Sequence, residues 1–249
     1  MRYAFFGGSF DPPHLGHLHI ARVAAERMRL GRVLLAPVGR QPLKSHEAAP
    51  FADRMRMLTL LAEQSPGLEA SAIDAPLDAR LDASLGTPPA APLAGPSSRP
   101  NYTVDTLARL RAELPQGATL FLLAGADSFL TLPRWYRPEA LLQPAERGGL
   151  LTAWILAARP GFALESLQAA LPAGYLLGDQ QETVGPVLTR QVWDEQGKEC
   201  TPLHLLPDLD DPSTATEIRE AFARAQDAPH LLPAVTQYIR DHGLYRVLG

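Results

Sequence analysis

The stretch that most limits the fold is the first forty residues, where "YAFF" (Tyr3 to Phe6) runs into "GGSFDPPHLGH" and a helical pattern before "RVLLAPV". Tyr3 to Phe6 is a short unbroken apolar run, which predicts a strand buried on both faces. From Leu15, apolar residues at Leu18, Ala21, Val23, Ala24 and Ala25 form a helical stripe that stops at Gly31. Arg32 to Val38 predicts a second buried strand. Strand, helix and strand in so short a span make a βαβ unit with a parallel pair and a right-handed crossover.

The rest of the chain repeats this alternation. A helix is expected with Phe51, Met55, Leu58 and Leu61 on one face, then a weaker strand at Leu68 to Ile73. Residues 76 to 100 are rich in Pro, Ala and Ser without a period, which predicts a surface insert. "YTVDTLARLRAEL" predicts an amphipathic helix starting at Thr103, and Thr119 to Gly125 a buried strand. "LLTAWILAA", ending at Arg159, and "PLHLLP" read as further strands, while 174 to 201 show no regular pattern. Two helices, "DPSTATEIREAFARAQ" and "LLPAVTQYIRDHGLY", close the chain. The expected architecture is one α/β domain over 1–249, a doubly wound, mostly parallel open sheet with helices on both faces and a C-terminal helical part from about 213. Ligands of such sheets sit beyond the carboxyl ends of the strands. The unusual stretches 7–17, 37–44, 125–136 and 207–219 all fall there.

Composition narrows the function. The 249 residues carry a net charge of −4, which argues against a surface that coats nucleic acid or membrane. A single cysteine, Cys200, excludes an internal disulfide and multi-cysteine zinc patterns. No apolar run approaches the about 20 residues that span a bilayer, and the first residues lack signal-peptide character, so a cytoplasmic protein is expected.

The first turn carries the chemistry. Gly7 and Gly8 let a ligand approach the main chain closely, and the N–H groups there and at the following helix start form an anion seat. The pattern matches neither a dinucleotide fingerprint nor a P-loop. His14 and His17, three apart at the helix start, can face the same way and donate to phosphate oxygens, whereas His19 falls off that face. An isolated H-x-x-H reads more simply as a helix cap, or as half of a metal site lacking a third ligand; no metal ligand is expected. Asp11 reads as a residue that fixes the turn. Near the other end, Ser213 or Thr214 can cap a helix, and Arg219, one turn in, can fork onto phosphate.

These residues resemble a known family. "GGSFDPPHLGH" is similar to the G-x-F-D-P-x-H-x-G-H signature of the nucleotidyltransferase superfamily with the H-x-G-H motif, matching Gly8, Phe10, Asp11, Pro12, His14, Gly16 and His17. "STATEIR" (Ser213 to Arg219), "NYTVDTL", "LAGADSFLTLPRWYRPEAL", "LAARPG" and the closing "LLPAVTQYIRDHGLY" resemble stretches of bacterial nicotinate-mononucleotide adenylyltransferases, in order along nearly the whole chain. The sequence departs from that family at Gln41 to Lys44, where Leu43 replaces a histidine; Lys44 remains and His46 is the nearest replacement. The 76–100 insert and "AERGGLLTAW" depart as well.

The resemblance implies adenylyl transfer from ATP to nicotinate mononucleotide, with Mg²⁺ carried on the ATP phosphates. It implies catalytic roles for His14, His17 and Arg219. It implies ATP contacts at Gly7, Gly8, Ser9, Phe10, Gly125, Asp127, Ser213, Thr214 and Thr216, with Asp127 on ribose hydroxyls or, more simply, capping the next helix. Lys44, Thr103, Trp135 and Tyr136 would bind the mononucleotide, Trp135 by stacking on the pyridine ring or, more simply, by packing in the core. Tyr238 and Tyr245 read as structural. The alternatives are a pantetheine-phosphate adenylyltransferase, whose chains are shorter, and a non-catalytic nucleotide-binding regulator, against which the intact His14, His17 and Arg219 argue. A tRNA synthetase fragment lacks a basic RNA surface here.

Overall fold

The computed structural model describes residues 1–41, 48–76, 100–207, 209 and 214–246, with backbone alone at 179–181. Most of the insert, together with Leu43, Lys44, His46 and Ser213, lies outside the described residues.

Eight strands form one sheet among the described residues, in the order β3-β2-β1-β4-β5-β8-β7-β6. β1 (Arg2–Gly8) lies at the centre, parallel to β2 (Arg32–Pro37) on one side and to β4 (Thr119–Gly125) on the other. β3 (Leu68–Ala70) extends the sheet beyond β2, while β5 (Ala153–Ala157) and β8 (Leu203–Leu206) continue it parallel beyond β4. The chain builds outward one way from β1 and then the other way from β4. Their adjacent carboxyl ends are therefore a topological switch point, where such sheets open a crevice.

Side-chain alternation explains the apolar runs. Tyr3 and Phe5 of β1 join one core cluster with Leu120, Leu122, Trp154 and Leu156, whereas Ala4 and Phe6 join the opposite one with Phe121, Leu123 and Ile155. The first cluster is covered by α3 (Thr103–Glu113) through Val104, Leu107 and Leu110, and by α5 (Ser166–Ala170). The second is covered by α1 (Leu15–Arg27) and α2 (Phe51–Ala62) through Leu18, Ala21, Leu58 and Leu61. Burial on both faces is why these strands need no polar positions. The short α4 (Ala126–Phe129) directly follows β4.

A third cluster joins Met57 of α2 to Ile218 and Phe222 of α6 (Ala215–Ala223) and Val235 and Ile239 of α7 (Pro233–Asp241). Its packing alters the face expected for α2: Met57 and Arg54 are buried, and Met55 is only half-buried. A helix wedged between a sheet and two other helices buries a broad stripe, not a narrow one.

Two strands differ from expectation in length. β3 ends at Ala70 and gives way to a 3₁₀ turn at Ala72–Asp74; β5 ends at Ala157, before Arg159. The stretch 174–201, without pattern in the sequence, holds the antiparallel hairpin β6 (Tyr175–Val184) and β7 (Val187–Asp194), turning at Gly185, where φ is +57°. β7 pairs antiparallel with β8, so the hairpin forms the sheet's edge. The pairing register shifts between Leu177 and Gln181, which blurs any period-two pattern. A Cβ at Gly178 would lie 2.9 Å from the Trp193 indole nitrogen, and both Arg190 Nε and Nη2 donate to the Gly178 carbonyl, at 3.0 and 2.7 Å.

Candidate active site

A cleft of about 750 Å³ opens at the switch point. Its floor is the end of β1 and the turn after it: Gly7, Gly8, Ser9 and Phe10 all line it. The glycines are there for close packing as well as for ligand access, since a Cβ at Gly7 would meet the Phe5 ring at 2.7 Å. Phe10 holds a left-handed backbone, φ +47°, and its ring is almost wholly buried.

His14 is the N-cap of α1 and His17 lies three residues in, so both rings face the cleft with centroids 3.8 Å apart. The His14 backbone N–H donates to His17 Nδ1 at 3.3 Å. That leaves Nε2 to carry the proton of a neutral His17, a donor for an anion in the cleft. The Phe10 ring lies 4.8 Å from that of His17 and steadies it.

From the far end of the chain, α6 brings Thr214, Thr216 and Arg219 to the same cleft. Thr214 caps the helix, its hydroxyl oxygen accepting from the Glu217 N–H at 3.2 Å. Arg219 donates through Nη1 to the Asp11 carbonyl at 2.7 Å and through Nη2 to Thr216 Oγ1 at 3.3 Å. The guanidinium is thus oriented before any ligand arrives.

Further lining comes from the end of β4 and the start of α3. Gly125 ends β4 and is itself the N-cap of α4, so Asp127 is a first-turn residue rather than the cap. Asp127 is exposed in the cleft and 3.8 Å from Arg159 Nε. Thr103 opens α3; beside it the Tyr102 and Tyr136 rings stack at 4.4 Å. Trp135 Nε1 donates to Thr131 Oγ1 at 2.8 Å, and its ring packs against Trp154 at 5.9 Å. Trp135 therefore both borders the cleft and leans on the core. Thr103, Trp135 and Tyr136 line the cleft together.

Several lining residues were not singled out from the sequence: Asp74, Asn101, Arg134 and Arg159. The two arginines follow strand ends, so that rule could have found them. Asp74 and Asn101, 27 positions apart in sequence, are joined by the Asn101 side-chain amide, which donates to the Asp74 carboxylate at 3.1 Å and to the Ala75 carbonyl at 3.0 Å. Thr106 adds a 2.6 Å hydroxyl bond to the same carboxylate. No local pattern marks that link.

Asp11 ties the turn to two other segments of the chain. Its Oδ1 accepts from the Tyr245 hydroxyl at 2.7 Å and from the Ala49 N–H at 3.1 Å. Arg54, 3% exposed, donates to the Ser9 carbonyl at 2.8 Å and the Ala49 carbonyl at 2.9 Å. Burial pulls the Arg54 pKa down, and the charge of Asp11 opposes that pull. Burial first, then Asp11, pushes the Tyr245 phenol far above its ordinary value, so it is a fixed donor.

A doubly wound sheet with two imidazoles and a guanidinium lining the cleft at its switch point is the site of a nucleotide-handling protein. The Cytidylyltransferase-like family model matches residues 5–160. A probable nicotinate-nucleotide adenylyltransferase of Xylella fastidiosa (strain M12) is 34% identical over 98% of this chain and 96% of its own. One from Aeromonas salmonicida is 32% identical over 96% and 95%. The nicotinic acid mononucleotide adenylyltransferase of Plasmodium falciparum, solved with NaAD, shares the fold at a TM-score of 0.61 and 17% identity, over 98% of this chain and 97% of that one. The chain belongs to the nicotinate-nucleotide adenylyltransferase family.

Proposed function

We propose that this chain transfers the adenylyl group of ATP to nicotinate mononucleotide, giving nicotinate adenine dinucleotide and pyrophosphate. The observation that carries the reading is one cleft lined by two unlike sets of residues in a chain of this family. His14, His17 and Arg219 supply phosphate donors, and Thr103, Trp135 and Tyr136 supply aromatic and hydrogen-bonding groups for the mononucleotide.

A phosphate oxygen of the mononucleotide attacks the α-phosphorus of ATP. The bond from that phosphorus to the bridging oxygen breaks, and pyrophosphate leaves with the bonding pair. The attacking group is already an anion at neutral pH, so no general base is needed and catalysis is positioning and charge stabilisation. His14 and His17 donate to the phosphates around the reacting centre. The main chain at Gly7, Gly8, Ser9 and Phe10 lets the phosphates lie close, and Arg219, the helix start at Thr214 to Thr216 and the Ser213 hydroxyl hold the β- and γ-phosphates. Asp127, beyond Gly125, accepts from ribose hydroxyls. Trp135 stacks on the pyridine ring, Thr103 and the Tyr136 N–H receive the nicotinate carboxylate, and Lys44 meets the mononucleotide phosphate.

Arg134, Arg159 and Arg219 around the cleft suit polyanionic substrates. Among the described residues no cluster of three or more acidic, histidine or cysteine side chains could hold a metal alone. Mg²⁺ carried on the ATP oxygens would neutralise phosphate charge there. Among the described residues no helix is long and apolar enough to cross a membrane; the proposed place of work is the cytoplasm.

The route is tested with mononucleotide whose phosphate carries oxygen-18. All label should appear in the dinucleotide and none in pyrophosphate; label in pyrophosphate would overturn attack at the α-phosphorus.

A further inference from the structure

We propose that Tyr245, in the last turn described after α7, is a positioning residue for ATP: its hydroxyl, through Asp11, sets the main chain that orients Arg219. The inference rests on the function proposed above and adds to it a residue that touches no substrate.

Asp11 is used on two sides at once. Its carboxylate accepts from Tyr245 at 2.7 Å and from the Ala49 N–H, while its main-chain carbonyl accepts from Arg219 Nη1 at 2.7 Å. Tyr245 lies 234 residues from Asp11 and Arg219 lies 208 from it, so three remote segments meet at one residue of the turn bearing His14. The carbonyl and the carboxylate belong to the same residue, so a shift in one moves the other. Tyr245 itself is held in place: its ring packs near Phe222 of α6, centroids 6.5 Å apart, and its backbone is left-handed, φ +63°. A non-glycine residue persists in that region only where its surroundings enforce it. The phenol cannot ionise at ordinary pH, because burial and the Asp11 charge hold its proton in place. The bond is therefore a permanent donor-to-carboxylate link, of the stronger charge-assisted kind.

Tyr238 provides an internal control. It sits on α7, and its hydroxyl donates to Asp53 at 2.8 Å. The same chemical bond thus ties the same C-terminal part to α2 at a carboxylate outside the cleft lining. Tyr245→Phe and Tyr238→Phe each delete one such bond and keep the ring.

The experiment measures steady-state kinetics of the full chain with ATP, Mg²⁺ and nicotinate mononucleotide, alongside thermal melting, for wild type and both variants. Tyr245→Phe should lower kcat/KM for ATP by about tenfold, the size of one charge-assisted hydrogen bond, with KM for the mononucleotide within about twofold. Tyr238→Phe should melt lower by a similar amount yet keep wild-type kinetics. If both variants melt alike and both keep wild-type kcat/KM for ATP, Tyr245 is merely structural and the proposal is overturned. A uniform loss, with both KM values raised equally, overturns it too. Should Tyr245→Phe fail to fold, Asp11→Asn takes its place: the amide keeps the carbonyl seat of Arg219 but weakens acceptance from Tyr245. It should show the same ATP-specific loss, and wild-type kinetics there would refute the link. A wild-type chain that turns over no nicotinate mononucleotide would instead refute the function, not the role of Tyr245.

Discussion

Arg54→Met would show how much of the active-site turn is held from behind. Arg54 is a charged residue on an amphipathic helix, yet it is 3% exposed and its guanidinium bonds the carbonyls of Ser9 and Ala49, at 2.8 and 2.9 Å. Methionine keeps the apolar stem and removes both bonds. Each bond from a charged donor is worth about 1.5–3 kcal/mol. Against this, the substitution relieves the burial of a cation, the dominant influence on Arg54. The net loss expected is about 3 kcal/mol, at the lower edge of what breaking a buried charged contact costs. For a chain of 249 residues each kcal/mol moves Tm by about 2–4 °C, so Tm should fall by about 6–12 °C. Urea titration should show a lower midpoint with an unchanged slope. Arg54→Lys should recover less than half, because a single ammonium nitrogen cannot occupy the two positions that Nε and Nη1 hold against the two carbonyls. A fall in Tm under about 2 °C in Arg54→Met would refute the reasoning, since the two bonds would then be replaceable by water.

His17→Ala should lower kcat by at least about 100-fold, as removal of a transition-state donor does; near-normal turnover would remove His17 from the reaction. Thr103→Ala should raise KM for the mononucleotide about tenfold and leave KM for ATP alone, as loss of one substrate hydrogen bond requires; an unchanged KM would take Thr103 out of the site. Tyr245 also has a pH signature. The folded chain keeps a phenolic proton that the unfolded chain releases above about pH 10, so this residue makes stability fall by about 1.4 kcal/mol per pH unit beyond that value. Urea titrations at pH 9 to 11 should show that share of the slope missing in Tyr245→Phe.

The parallel centre of the sheet was legible because each strand there is buried on both faces, so Tyr3 to Phe6, Arg32 to Pro37 and Thr119 to Gly125 stand out as apolar runs. The turn was legible for a different reason: Gly7 to His17 are contiguous, and their chemistry does not depend on distant partners. The edge hairpin was not. In β6 the residues Glu182 to Val184 are exposed, and the register shift near Gly178 breaks any alternation that remained. Arg54 was hidden for a related reason. Its partners lie in the turn and in the loop before α2, and a helical pattern read alone places a charge outside. The contact of Asp11 with Tyr245 joins the two ends of the chain, and no local signal marks such a pair. What sequence carried well was chemistry within one segment; what it carried poorly was the distant support beneath it.

The choice of acceptor is the most direct test of the proposed activity. Pyrophosphate release from ATP and Mg²⁺ should be measured in parallel with nicotinate mononucleotide, nicotinamide mononucleotide and phosphopantetheine. The account predicts rapid release with nicotinate mononucleotide and little with the other two. Release driven by phosphopantetheine, or none with any acceptor from a chain that still binds ATP, would contradict it.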